Sequence, residues 1–183
     1  GIMVLQSGKL QQGASTITQQ IIKNNIFDNW TNESDIQKIK RKIQEQYLAL
    51  ELEKKMSKEQ ILEIYMNTIN LGQNTLGVKA AALRYFNKQP YQLTLSECAV
   101  IAATTSNPSR YNPISHPDNN KKRRDVVLDN MKEQGYITQE EYDEAMADDV
   151  YSRIMAVNEE SEINSVYTYF VDEVTEQVLA DLM

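Results

Sequence analysis

The chain holds one cysteine, one histidine and one tryptophan in 183 residues. A single thiol, Cys98, has no partner for an internal disulfide, and a single imidazole, His116, excludes metal sites built from several histidines. Glycine and proline are sparse, at 6 and 4, which leaves little punctuation for hairpins. No apolar run approaches the roughly 20 residues needed to cross a bilayer. The opening Gly1 to Lys9 lacks the basic start and apolar stretch of a signal peptide. Positive charge is also short. Nineteen Lys and Arg against 26 Asp and Glu leave a net charge of −7, which argues against general nucleic-acid binding, since that needs a dense basic surface.

What is present fits a chain that buries a core: 41% hydrophobic and 25% charged residues, far from the composition of a disordered segment. Apolar spacings of three and four recur, and long polar–apolar alternation does not. Five Ser/Thr-x-x-Gln/Glu pairs precede such runs: Thr16 with Gln19, Ser34 with Gln37, Ser57 with Gln60, Thr94 with Glu97, and Thr138 with Glu141. Each suits a capping box at a helix start. The spacing predicts a mainly α fold, with helices near 16–25, 35–56, 58–67, 77–86, 95–104, 118–134, 139–147 and 163–182. Gly135 suits a left-handed cap after the sixth. Thr105 to Pro117, with Asn107-Pro108 and Asn112-Pro113, reads as an ordered loop. Asn158 to Glu162, short and acidic, reads as a linker. Beyond it Val166, Tyr169, Phe170, Val174 and Val178 form one stripe.

Two stretches carry candidate chemistry. The first runs from Gln12 through Gly13-Ala14-Ser15-Thr16-Ile17-Thr18-Gln19-Gln20 to Lys23-Asn24. A small-residue turn leads into a helix whose first turn is rich in hydroxyls and amides, an arrangement suited to an anion. Lys23, four residues after Gln19, shares its face. A well-capped polar helix start explains the same residues without a ligand. The second stretch is Lys38 to Glu53. Ile36, Ile39, Ile43, Tyr47 and Leu50 read as its core stripe, while Arg41, Lys42 and Glu45 cluster on another face. Either this is a solvated face laced with ion pairs, or the cations hold phosphate while Glu45 does proton or positioning work.

Taken together, Gly13 to Gln20 with Lys23-Asn24, then Arg41-Lys42 and Glu45, resemble the peptidoglycan glycosyltransferase domain of class A penicillin-binding proteins. The likeness continues in order through Ile61-Leu62-Glu63, Tyr65, Asn67, Gly72, Gly77 and Ala80-Ala81-Ala82. It runs on through Leu93 to Glu97, Asn107-Pro108-Ser109, Tyr111-Asn112-Pro113, Arg123-Arg124, Val127-Leu128 and Gly135-Tyr136-Ile137. It covers roughly residues 11 to 147 in one register. Tyr169-Phe170-Val171-Asp172 is similar to the segment that leads towards the transpeptidase domain.

The resemblance implies a lysozyme-like, bilobed helical fold. It implies an enzyme that polymerises lipid II into glycan strands and releases undecaprenyl diphosphate. Glu45 would be the second catalytic glutamate, organising the donor's diphosphate. Lys23, Arg41, Lys42 and Arg123 would bind phosphate, Ser15, Gln19 and Gln20 would contact substrate, and Asn67 would shape the cleft. That reading requires Lys23 and Arg41 to meet at one groove. Ile22, Ile26, Phe27 and Trp30 would face the membrane, giving a membrane surface through residues 22–30. No cofactor is implied; a divalent cation is compatible but not indicated. Other implied partners are lipid-linked glycan and further cell-wall synthesis proteins. The implied location is the extracytoplasmic face of the cell membrane, with an N-terminal transmembrane helix that this chain lacks.

The departures are specific. The family's first motif, which supplies the base, should lie some thirty residues before Ser15, and the fourteen residues present there include no acid. Asn32-Glu33-Ser34-Asp35 stands where the family tends to carry an arginine before its third motif. Ser-x-x-Lys and Lys-Thr-Gly are absent, so transpeptidase chemistry is not expected. The expected organisation is a glycosyltransferase domain over 1–157 without its first motif, then a linker helix over 158–183. This polypeptide alone is expected to be inactive, an expectation that measurable lipid II polymerisation would overturn. Cys98 is expected in the core, and His116 at the surface or a helix start. Two alternatives stay open: a lysozyme-like muramidase using two carboxylates and water, and a non-catalytic helical module that docks cell-wall proteins.

Overall fold

The computed structural model describes residues 15–27, 33–73 and 75–158, and these form two compact units that divide between Ile69 and Asn70. The first unit holds α1 (Ile17–Ile26), α2 (Asp35–Lys55) and α3 (Lys58–Thr68). The second holds α4 (Gly77–Phe86), a single 3-10 turn at Pro90–Gln92, α5 (Leu95–Thr104), α6 (Pro117–Glu133) and α7 (Gln139–Ala147). A further helical stretch covers 150–158. Among the described residues the sole β feature is one bridge, Asn70 to Leu76. The mainly α expectation holds.

All five capping boxes form, each with the Ser or Thr oxygen accepting from the backbone N–H three residues on and the Gln or Glu side chain reaching back. These contacts are local, so residue type and spacing suffice to specify them. Gly135 takes φ +74° after α6, as its position suggested. His116 is the N-cap of α6 and Pro117 opens it, where the missing proline N–H costs nothing.

In the first unit α1 packs on both α2 and α3, and Ile21, Ile22, Ala49, Ile61 and Ile69 are its buried hydrophobics. This overturns the expected α2 core stripe. Ile36, Ile39, Ile43, Tyr47 and Leu50 are 52–69% exposed, and the buried line of α2 is Arg41, Glu45 and Ala49. The reason is tertiary. Small Ala49 lets a neighbouring helix approach, and the two charged residues on the same line neutralise each other. Ile22 is likewise buried rather than turned towards a membrane, whereas Ile26 is exposed and Phe27 half-buried. Trp30 and the 163–182 helix lie outside the described residues.

The second unit closes around Leu71, Tyr85, Val100, Leu128, Val150 and Ile154, each buried to 1% exposure or less. Asn120 ties the 105–117 loop to it. Its Nδ2 donates to the carbonyls of Tyr111 at 2.7 Å and Val100 at 3.2 Å, and its Oδ1 accepts from the Tyr151 hydroxyl at 2.7 Å. The prolines alone therefore do not order that loop. Glu97, fully buried, accepts from Lys88 Nζ at 2.7 and 2.9 Å, from Arg153 Nε at 3.2 Å and from the Thr94 amide at 2.9 Å. That cluster joins α5 to 150–158, a helix the sequence reading missed. Asn158, expected in a linker, is buried in that helix, where its Nδ2 donates to the Ile154 carbonyl at 2.7 Å. Cys98 is exposed, not core: α5 buries Ala99, Val100 and Ala103, and Cys98 falls on the opposite side.

Candidate functional site

The described part of the site is built where the entry to α1 meets the first half of α2. Ser34 starts α2, and from there the helical repeat sets Arg41 and Glu45 one turn apart on its buried side. Arg41 Nη1 donates to Glu45 Oε1, and Lys42 Nζ donates to Glu45 Oε2 at 2.6 Å. The side chain of Glu45 is 1% exposed, that of Arg41 9% and that of Lys42 50%. One buried carboxylate is thus held by two cations, one enclosed and one facing solvent. Lys42 Nζ also donates to Ser15 Oγ at 3.1 Å, which joins the α1 entry to α2 across 27 residues of sequence.

Lys23 completes the cluster. Its pKa lies below the usual lysine value, first through burial, then through repulsion by Lys42 and Arg41, with Glu45 pulling the other way. Lys23 thus lies within electrostatic reach of Lys42, Arg41 and Glu45. Arg41 behaves oppositely. Burial would lower its pKa, but hydrogen bonds to Glu33 and Glu45 carry it above the ordinary value, so its charge is fixed.

The glutamines divide. Gln19 Oε1 accepts from the Thr16 amide at 3.2 Å, so its carboxamide serves the capping box. The Gln19 amide in turn donates to Thr16 Oγ1 at 3.2 Å. The start of α1 is thereby partly satisfied from within, and the positive field of the site comes mainly from side-chain cations. Gln20 bridges, its Nε2 donating to the Ser15 carbonyl at 3.5 Å and its Oε1 accepting from the Tyr65 hydroxyl at 3.3 Å. Burial raises the Tyr65 pKa, which keeps that hydroxyl protonated as a donor. Asn67 is exposed near the end of α3, and no described hydrogen bond joins it to the cluster. Arg123 belongs to the second unit, exposed on α6, whereas the adjacent Arg124 is buried against Asp125 and the Tyr151 ring. Lys38 turns away from the cluster to pair with Asp35.

Sequence reading missed two contributors. Glu33 accepts both contacts of Arg41 Nε, at 2.8 and 3.0 Å. It stands before the helix and eight residues from Arg41, so no helical spacing reveals the pair. Tyr65 was noticed as part of a motif, but its role in seating Gln20 depends on how α3 folds back on α1. No group of three or more His, Cys, Asp or Glu among the described residues is arranged to hold a metal ion.

Helices throughout, a hydroxyl-bearing helix entry and a buried carboxylate clasped by cations define a domain suited to handling an anionic group. The chain belongs to the transglycosylase family, whose pattern matches residues 2–132. Its relatives include penicillin-binding protein 1A of Clostridium botulinum strain Hall, 42% identical over 185 residues, covering 98% of this chain and 21% of that protein. Penicillin-binding protein 1A of Aquifex aeolicus is 43% identical over 145 residues, covering 79% of the chain and 19% of its own length. That of Vibrio cholerae is 43% identical over 164 residues, at 90% and 19%. The crystal structure of penicillin-binding protein 1A from Haemophilus influenzae aligns with 51% of this chain and 14% of its own, at 45% identity and a TM-score of 0.49. The chain thus spans about a fifth of the length of the curated relatives it matches.

Proposed function

We propose that this chain forms the donor-binding side of a peptidoglycan glycosyltransferase that extends glycan strands from lipid II and releases undecaprenyl diphosphate. The observation that supports it best is the enclosed Glu45 with Arg41 and Lys42 on its two oxygens and Ser15 on Lys42. In such a transfer an acceptor hydroxyl attacks the anomeric carbon and the C–O bond to the lipid diphosphate breaks. Negative charge then grows on the departing oxygens, and fixed cations lower the barrier where it appears. Arg41, Lys42 and Lys23 bind those oxygens. Glu45 holds the two α2 cations in place so that they need not reorganise during the reaction. Ser15 and Gln20 contact the substrate beside them, Gln19 supports the α1 entry, and Asn67 shapes the surrounding surface.

The base that takes the acceptor proton is a separate group, since Glu45 is occupied by its cations. Ile26 and Phe27 contribute a membrane-surface contact beside the site, in keeping with a lipid-linked donor. The enzyme works at the outer face of the cell membrane alongside other cell-wall synthesis proteins and needs no resident cofactor. Among the described residues no helix is long and apolar enough to cross a membrane.

Titrating the chain with inorganic pyrophosphate tests the anion site. The expected result is saturable binding that Lys23→Ala and Arg41→Ala each weaken about tenfold, about 1.4 kcal/mol. Binding that is indifferent to both substitutions would remove the basis for the reading. In a polypeptide that carries the remaining catalytic parts, Glu45→Gln should lower lipid II polymerisation about 100-fold or more.

A further inference from the structure

The two carboxylates that hold Arg41 differ in kind. Glu45 lies within α2, is fully enclosed and shares its charge with Lys42. Glu33 stands before the Ser34 cap, outside the helix, and its side chain is 16% exposed. Both Glu33 oxygens accept from Arg41 Nε, at 2.8 and 3.0 Å. A guanidinium grips a phosphoryl group best along one edge, with two parallel N–H donors. Glu33 occupies the Nε–H of Arg41, one of the donors such a grip would use. The helix fixes Glu45, whereas Glu33 hangs from the backbone that leads into it. Of the two carboxylates, Glu33 is the one an incoming anion can displace.

We propose that Glu33 is an internal counter-anion that occupies Arg41 in the absence of ligand and gives way to a phosphoryl oxygen of the substrate. It thereby sets the affinity and the charge preference of the site. The proposal rests on the diphosphate reading above. Among the described residues of the cluster, Lys23, Arg41 and Lys42 bring three positive charges and Glu33 and Glu45 bring two negative ones, which leaves them only weakly positive together while Glu33 remains. A singly charged phosphate gains little by displacing a carboxylate. A diphosphate carries more charge and replaces the carboxylate with excess, so the exchange favours it.

Calorimetric titration of inorganic pyrophosphate and of inorganic phosphate into the chain tests this with wild type, Glu33→Gln and Glu33→Asp. In Glu33→Gln, pyrophosphate should bind about threefold to tenfold tighter, about 0.7–1.4 kcal/mol. Phosphate should gain at least as much, narrowing the preference between the two. Glu33→Asp should stay close to wild type. If wild type binds pyrophosphate and Glu33→Gln binds it equally or more weakly, the counter-anion role is wrong and the diphosphate site stands. If neither binds, both readings fall together. A second measurement needs no variant: the Arg41 Nε–H resonance in wild-type protein should shift as pyrophosphate saturates the site. A resonance that stays fixed while Lys23 and Lys42 respond would overturn the displacement.

Discussion

Arg41 and Glu45 form a buried ion pair, and what such a pair contributes depends on whether one partner or both are removed. Arg41→Ala leaves Glu45 enclosed, with Lys42 on one oxygen and Lys23 within electrostatic reach. The expected loss of unfolding free energy is about 3–5 kcal/mol, measured in urea. Replacing both by apolar residues of similar volume should cost far less. If the single and double variants lose the same amount, Glu45 is not acting as an enclosed charge.

Lys23 gives the site a pH signature. Its pKa in the folded protein is depressed, by burial first and by Lys42 and Arg41 next. A bound anion favours the charged form, so ligand binding takes up a proton where free Lys23 has begun to lose its own. Pyrophosphate affinity should therefore fall as pH rises through the lowered Lys23 value, earlier than for an ordinary lysine. Lys23→Arg should move that fall to higher pH. The Cys98 thiol is shifted upward, by burial and then by the Glu97 carboxylate, so it remains a weak nucleophile at neutral pH despite its exposed residue. Its alkylation should be slower than that of a free cysteine model.

At the scale of elements, legibility follows the range of the interaction. The helix starts could be read because each capping box spans three residues, and both the donor and the acceptor lie inside the pattern. The buried side of α2 could not. Ile36, Ile39, Ile43, Tyr47 and Leu50 satisfy every periodicity rule for a core face, yet the side turned inwards carries charge, and its burial draws on partners such as Glu33 that no helical spacing reveals. The 150–158 helix was missed for a related reason. Asp148 and Asp149 precede it without a Ser/Thr-x-x-Glu signal, and Glu97, 56 residues from its partner Arg153, helps secure it. The clustering of Lys23, Arg41, Lys42 and Glu45 was legible through family resemblance more than through spacing. The turn before α4 shows a positional requirement of another sort. Gly72 takes φ +85°, and a Cβ there would stand 2.9 Å from Asn112 Nδ2. Gly72→Ala should cost about 1–3 kcal/mol in thermal or urea unfolding, whereas Ile43→Ser on the exposed side of α2 should fall within about 0.5 kcal/mol of wild type.

On the scale of the whole molecule, each unit has its own interior. The second is the better furnished, with the Leu71, Tyr85, Val100, Leu128 and Ile154 core and the Asn120 and Glu97 networks inside it. Residues 70–158 expressed alone should keep helical circular dichroism and unfold in one sigmoidal transition. A gradual, non-cooperative melt would show that the second unit depends on the first. In the same fragment Asn120→Ala should lower stability by about 1–3 kcal/mol, because it strands the Tyr151 hydroxyl and the Tyr111 carbonyl.

The uncovered isoleucines, tyrosine and leucine of α2 also govern how the purified chain behaves. Its acidic charge of −7 disperses molecules in dilute buffer, but ammonium sulfate weakens that repulsion and strengthens apolar association. The chain should bind phenyl resin tightly, brighten naphthalene-sulfonate dyes while fully folded, and salt out early. Serine at Ile39 and Ile43 should blunt all three behaviours without moving the melting temperature.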